Sequence, residues 1–181
     1  MARVLILHAS CEGQTARIAG RIAQTLREIG HAADVIPARG FQAGFGTEKY
    51  DAVMIGSSIH YGHHPAYLRT LLRRHRAALE AMPSAFFSVS LSAGGPGARP
   101  RAARRYLEDF QRQIGWRPQL TTTFGGALQF SKYGRFKRLL MIMIVGLAGG
   151  NTDAARDYEY TDWNAVGLFT ETFAQRLSSG D

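Results

Sequence analysis

The chain has 181 residues, 45% of them apolar and 20% charged, enough for one well-buried domain and too few for two comfortable ones. That balance excludes a disordered chain, and the single cysteine, Cys11, excludes an internal disulfide and fits a reducing compartment. The formal charge of +8 is unevenly spread: residues 1–65 carry +1, residues 66–138 carry +11 and residues 139–181 carry −4. A basic central third calls for an anionic partner: nucleic acid, an acidic membrane surface or a carboxylate-bearing substrate. The N-terminal apolar run is too short for a cleavable signal and opens the fold, so a cytoplasmic protein is expected.

Residues 3–7, with the run Val4-Leu5-Ile6-Leu7, read as a buried parallel strand. Directly behind stands Ser10-Cys11-Glu12-Gly13-Gln14-Thr15. A helix over 14–29 follows, with Ile18, Ile22, Leu26 and Ile29 on one face and Gly30 as its stop. Strand, tight hydroxyl-and-glycine loop and helix together hold a phosphate, because loop N–H groups and the positive helix end converge on one spot. Gly13 lets the backbone approach closely, and Thr15 supplies a hydroxyl at the helix start. The loop lacks the Gly-x-Gly-x-x-Gly spacing of a dinucleotide site and the lysine of a triphosphate site. A single-phosphate ligand fits best, with FMN first; the alternative is an ordinary capped βα turn.

Residues 33–36 make a short second strand, 40–46 a glycine-rich connector and 51–56 a third strand. Pro65 opens a helix to about residue 82 with Leu68, Leu71, Leu72 and Leu79 inward. Residues 85–89 form strand four, 92–100 a Gly/Pro-rich loop, and 102–114 a helix facing Ala103, Tyr106, Leu107, Phe110 and Ile114 inward. Residues 120–128 form strand five, and 162–177 a closing helix with Val166, Phe169, Phe173 and Leu177. Five βα units without repeats predict one domain over 1–181: a doubly wound α/β fold with a five-stranded parallel sheet, helices on both faces and ligands at the carboxyl ends of the strands.

One stretch, about 129–160, is far longer than a usual βα loop. It carries Lys132, Arg135, Lys137 and Arg138, then an apolar run over 139–148 that is too short for a bilayer span of about 20 residues. A basic-aromatic prefix before an apolar helix suits a membrane interface. A helix packed over the sheet edge or at a homo-oligomer interface suits the same run.

Characteristic stretches run almost end to end. They are Leu5-Ile6-Leu7 with Gly13-Gln14-Thr15; Ile55-Gly56-Ser57-Ser58-Ile59-His60-Tyr61-Gly62-His63; Met82-Pro83-Ser84-Ala85-Phe86; Trp116-Arg117-Pro118; Gly126-Ala127-Leu128; Gly149-Gly150-Asn151-Thr152-Asp153; and Tyr160-Thr161-Asp162-Trp163. On these the chain resembles flavodoxin-like proteins and, within them, the menaquinone-dependent protoporphyrinogen IX dehydrogenases of bacterial haem synthesis. The resemblance implies a flavodoxin-like fold, a non-covalent FMN and oxidation of protoporphyrinogen IX to protoporphyrin IX. It also implies menaquinone or another quinone as acceptor and peripheral attachment to the cytoplasmic, anionic face of the bacterial inner membrane.

In such folds the loops after strands one, three and four meet around the flavin. Here these supply Ser10, Cys11, Glu12, Gly13, Gln14 and Thr15; Ser57, Ser58, Ile59, His60, Tyr61 and Gly62; and Ser90, Leu91 and Ser92. Two departures stand out. Glu12 takes the place of a threonine, its carboxylate expected to point outward, which leaves the phosphate to backbone groups, Ser10, Gln14 and Thr15. Residues 90–97 contain no aromatic, so Tyr61 is the candidate to stack on the ring.

His60, His63 and His64 resemble metal ligands but lack a fourth ligand and an adjacent carboxylate, so no metal is expected. His60 and His63 are instead candidate proton acceptors beside the flavin, against the alternative of surface histidines without a role. Nothing in the sequence shows a base to activate Cys11, which reads as a small loop residue. Lys132, Arg135, Lys137 and Arg138 can meet substrate propionates or lipid phosphates alike. A flavodoxin-type electron carrier or general quinone reductase is the alternative function, although such carriers are typically acidic and this chain has a pI of about 10.1. Arg99, Arg101, Arg104 and Arg105 can line a helix facing nucleic acid, yet no nucleic-acid motif accompanies them and none is expected as a partner.

Overall fold

Strand β1 (Arg3–Ala9) is an interior strand of the sheet, and its side chains alternate between two apolar layers. The computed structural model describes residues 1–41, 49–95, 97–128 and 156–178. After β1 come α1 (Gln14–Glu28), β2 (Ala32–Pro37), β3 (Ala52–Ser58), α2 (Ala66–Arg74) and α3 (Arg76–Glu80). Then follow β4 (Ser84–Ser90), a 3-10 turn at Leu91–Ala93, α4 (Pro100–Ile114) and β5 (Leu120–Gly125). The last elements are the short strands β6 (Ala127–Leu128) and β7 (Tyr158–Glu159) and the helix α5 (Trp163–Ser178).

The five long strands are all parallel, in the order β2-β1-β3-β4-β5. Because strand side chains alternate, Val4 and Ile6 face one layer and Leu5 and Leu7 the other. The first layer joins Met54, Phe87 and Phe124 to Ile18, Ile22 and Leu26 of α1 and to Val166, Phe169 and Phe173 of α5. The second joins Val53, Ile55 and Phe86 to Leu68, Leu72, Leu79, Leu107, Phe110 and Trp116. Helices therefore cover both faces, and the doubly wound α/β architecture expected from the sequence is the one observed. Its order reverses between β1 and β3, so the crevice at the carboxyl ends of those strands is the natural ligand position.

Several boundaries differ from the sequence reading. Ile29 lies past the end of α1 and is 45% exposed, not part of its inward face. The helix expected over 65–82 breaks at His75 into α2 and α3. The fifth strand leaves the sheet at Gly125, and Ala127–Leu128 pairs antiparallel with Tyr158–Glu159 instead. The glycine pair explains this exit: a Cβ on Gly125 would sit 2.1 Å from the Tyr160 carbonyl oxygen, so only glycine lets that segment cross. Among the described residues no helix is long and apolar enough to cross a membrane.

Candidate functional site

The phosphate loop is built as the sequence suggests. Gly13 takes the left-handed conformation, φ 100°, at the head of α1, and its N–H donates to the Ser10 hydroxyl at 3.0 Å. The first helical bond runs from the Arg17 N–H to the Gly13 carbonyl at 3.0 Å, so no helix carbonyl serves the N–H groups of Gln14, Thr15 and Ala16. No side chain caps this end among the described residues. Thr15 is 1% exposed, and its hydroxyl has no hydrogen-bond partner among the described residues. A buried hydroxyl beside uncapped N–H groups fits an anion, and the residues present suit the phosphate of FMN.

Above this loop opens a cleft of about 300 Å³, bounded by the loops after β1, β3, β4 and β5. Ser10, Glu12, Gln14, Thr15, Ser58, Ile59, His60, Tyr61, Gly62, Ser90, Leu91 and Ser92 all line it, so the structure brings most of the expected flavin contacts together. Glu12 is half-buried along this wall and does not stand clear in solvent. Cys11, Gly13 and Ser57 do not line it: Cys11 is exposed, Gly13 turns the loop, and Ser57 is buried in the ladder beside Ala9. The Ser90 hydroxyl, buried at the cleft wall, also lacks a partner among the described residues.

The β3 loop is held by its own turn. His60 and His63 exchange backbone hydrogen bonds at 2.9 and 3.0 Å, with Tyr61 (φ 49°) and Gly62 (φ 80°) between them. Two successive positive φ values make a tight hairpin turn, favourable for Gly62 and costly for tyrosine. Tyr61 is the only positive-φ residue other than glycine among the described residues, and its ring is 80% exposed at the lip of the cleft. A strained turn that presents an aromatic to a cleft suits ring stacking.

Sequence reasoning missed part of the wall. Val89, Tyr106, Gly126 and Ala127 line the cleft as well. Tyr106 sits on the helical stripe of α4, so periodicity alone assigned it to the core; it is half-buried, 3.6 Å from the position a Cβ on Gly62 would take. Tyr160 lies against Gly94 and Gly95, where a Cβ on Gly95 would come within 2.7 Å of its ring, but it does not line the cleft.

A buried network ties the loop to the C-terminal part of the chain. The Gln14 amide donates to the Thr161 hydroxyl at 2.8 Å and to Glu159 at 3.2 Å, and Thr161 donates to the Gly125 carbonyl at 2.7 Å. Arg17 pairs with Glu159 at 2.7 Å and lies 5.6 Å from the Trp163 ring centroid. The Gln14 side chain is thereby committed to the scaffold, which leaves its backbone N–H for a ligand. Asp162 accepts from the N–H groups of Asn164 and Ala165 and caps α5.

The histidines separate. His60 is half-buried and lines the cleft, whereas His63 is exposed and does not line it. His64 is 7% exposed, its ring 4.3 Å from Phe110 and 5.5 Å from Phe86, and burial pushes its pKa down to about 3. It stays neutral at physiological pH. Among the described residues no three His, Cys, Asp or Glu side chains gather to hold a metal ion. Lys132, Arg135, Lys137 and Arg138 lie outside the described residues, as does most of the expected insertion.

Fold and site define a flavodoxin-like protein, and comparison with known proteins narrows the class. The flavodoxin domain family matches residues 5–155. A protoporphyrinogen IX dehydrogenase (quinone) of Escherichia coli K12 is 36% identical over 95% of this chain and 94% of its own. One from Leishmania major is 36% identical over 95% of this chain and 74% of its own. The oxidised flavodoxin 1 of Bacillus cereus superposes with a TM-score of 0.54 over 96% of this chain and 97% of its own, at 14% identity, a likeness of fold alone. The chain belongs to the flavodoxin domain family, in the branch that holds the protoporphyrinogen IX dehydrogenases.

Proposed function

We propose that this protein is an FMN-dependent oxidoreductase that converts protoporphyrinogen IX to protoporphyrin IX and delivers the electrons to a quinone, menaquinone first among them. The observation that carries the site is the buried Thr15 hydroxyl, without a partner among the described residues, beneath the uncapped start of α1. The substrate follows from relatives of that name at 36% identity over 95% of the chain.

When bound, FMN supplies the redox chemistry, taking electrons in pairs from the porphyrinogen and passing them to the quinone. The protein supplies the rest. Thr15, Ser10 and the N–H groups of Gln14, Thr15 and Ala16 would hold the FMN phosphate. Tyr61, fixed by its tight turn, would cover the flavin ring, and Ile59, Val89 and Tyr106 would keep water from it. Of the two candidate proton acceptors, His60 lines the cleft and is the one we assign the proton taken as the substrate is oxidised; His63 does not line it. A flavodoxin-type carrier is the alternative, and the +8 charge weighs against it because such carriers dock basic partners through acidic surfaces.

Docking on an anionic membrane surface is part of the same reading. Its supports are the +11 charge of residues 66–138 and the exposed Arg73, Arg74, Arg101, Arg104, Arg105 and Arg112 on the adjacent helices α2 and α4. Purified protein given protoporphyrinogen IX without oxygen tests the whole reading: porphyrin should accumulate only when a quinone is added. Rapid electron delivery to a soluble redox protein without porphyrin formation would favour the carrier.

A further inference from the structure

Beside the flavin cleft lies a second cavity of about 680 Å³, which the function above leaves unused. It opens between the end of β2, the phosphate loop and the start of α2. Arg39, Tyr67, His8, His64 and Cys11 are among its walls, and it meets the first cleft at Ser10 and His60. We propose that this cavity is a carboxylate subsite, in which Arg39 receives a propionate arm of the tetrapyrrole whose ring lies at the flavin cleft. The proposal rests on the functional reading above and adds where the acidic edge of the substrate goes.

Three features point to a carboxylate. First, Arg39 is positioned: the Ala38 N–H donates to the His8 carbonyl at 2.8 Å, and the Phe41 N–H closes the turn on the Ala38 carbonyl at 3.3 Å. Its guanidinium lies 5.1 Å from the Tyr67 ring centroid, a contact that orients the planar fork. Second, Arg39 is the one permanently charged side chain among the described residues lining the cavity, and no carboxylate is among them. Third, Tyr67 adds a neutral hydroxyl to the wall. Burial, helped by the neighbouring Cys11, holds the Tyr67 phenol above its usual range against the opposing charge and hydrogen bond of Arg39, so its hydroxyl stays protonated.

An oxidised or reduced tetrapyrrole of this type carries two propionates on one edge and apolar groups on the other. A ring at the cleft can then send a three-carbon arm past Ser10 and His60 into the cavity, where a guanidinium fork meets a carboxylate with two parallel bonds.

Arg39→Gln in the full, FMN-loaded chain tests this, with protoporphyrinogen IX compared against its dimethyl ester, whose arms carry no charge. The substitution should raise KM for the acid on the order of tenfold and leave the ester, kcat, FMN content and reduction by dithionite unchanged. Arg39→Lys should restore part of the loss. The same contrast should appear without turnover, when protoporphyrin IX and its dimethyl ester are titrated onto the protein and read by absorbance. Equal loss for acid and ester, or no loss for either, overturns the subsite. If the unaltered protein forms no porphyrin, the functional reading fails instead, and the binding titration still decides whether Arg39 selects the acid.

Discussion

Gln14 and Thr161 are 147 positions apart, yet the Gln14 amide donates to the Thr161 hydroxyl at 2.8 Å in a buried contact. The Thr161 hydroxyl in turn donates to the carbonyl of Gly125, where β5 leaves the sheet. The start of α1 is thus locked to the segment before α5, and the phosphate loop inherits its geometry from both ends of the chain.

Thr161→Val keeps the shape but removes this hydroxyl, leaving the Gln14 amide short of a buried acceptor. We expect a stability loss of about 1–3 kcal/mol in urea unfolding and a several-fold weaker FMN affinity in a fluorescence titration. Glu159→Gln, which weakens the solvent-exposed pair with Arg17, should cost under about 1 kcal/mol. Equal effects of the two changes would contradict the buried contact as the lock.

Gly13 sits at φ 100°, where a β-branched side chain is strained. Gly13→Val should therefore strip FMN from the purified protein while far-UV circular dichroism stays that of the folded domain. Gly13→Asn, which tolerates the left-handed region better, should retain more flavin. Full FMN occupancy in the valine variant would remove the loop from the site.

His64 gives a pH signature. Its folded pKa, about 3, lies below the ordinary 6.5, so between these values the unfolded chain binds more protons than the folded one. Stability contributed by the neutral buried ring is complete above about pH 6.5 and is lost as pH falls towards 3, with a slope approaching about 1.4 kcal/mol per pH unit. His64→Leu should flatten the unfolding free energy between pH 4 and 6 by close to one proton. An unchanged slope would mean that another group carries the acid sensitivity.

Membrane docking should depend on salt. Reversing Lys132, Arg135, Lys137 and Arg138 together removes about 1 kcal/mol of attraction per side chain near an acidic surface. The variant should stay in the supernatant when sedimented with anionic vesicles at low salt, where the unaltered protein pellets. Equal pelleting of both would place the contact elsewhere on the basic surface.

Much of this site was legible in the sequence because its signals are local. Val4-Leu5-Ile6-Leu7 followed by Ser10 to Thr15 specifies strand, loop and helix within a dozen residues, and the loop forms as expected. Strand ends were less legible, since His8, Ala9, Ser58 and Ser90 are small or polar yet still pair in the ladder. The break at His75 is hidden because Leu72 and Leu79 keep helical spacing across it. Long-range relations were invisible: nothing near Gln14 announces Thr161, and nothing near Gly95 announces the Tyr160 ring against it. Tyr106 shows how one helical stripe can serve the core at Leu107 and Phe110 and a cleft at its edge.

The central claim is that protoporphyrinogen IX delivers its electrons through a flavin held in the cleft above Thr15. Its most direct test is an anaerobic titration of the FMN-loaded protein with protoporphyrinogen IX, followed by absorbance. The account predicts bleaching of the flavin with about three flavins reduced per porphyrin formed, since the oxidation releases six electrons in pairs, and recovery of the colour on adding menaquinone or ubiquinone. A flavin that dithionite bleaches but protoporphyrinogen leaves oxidised would contradict it.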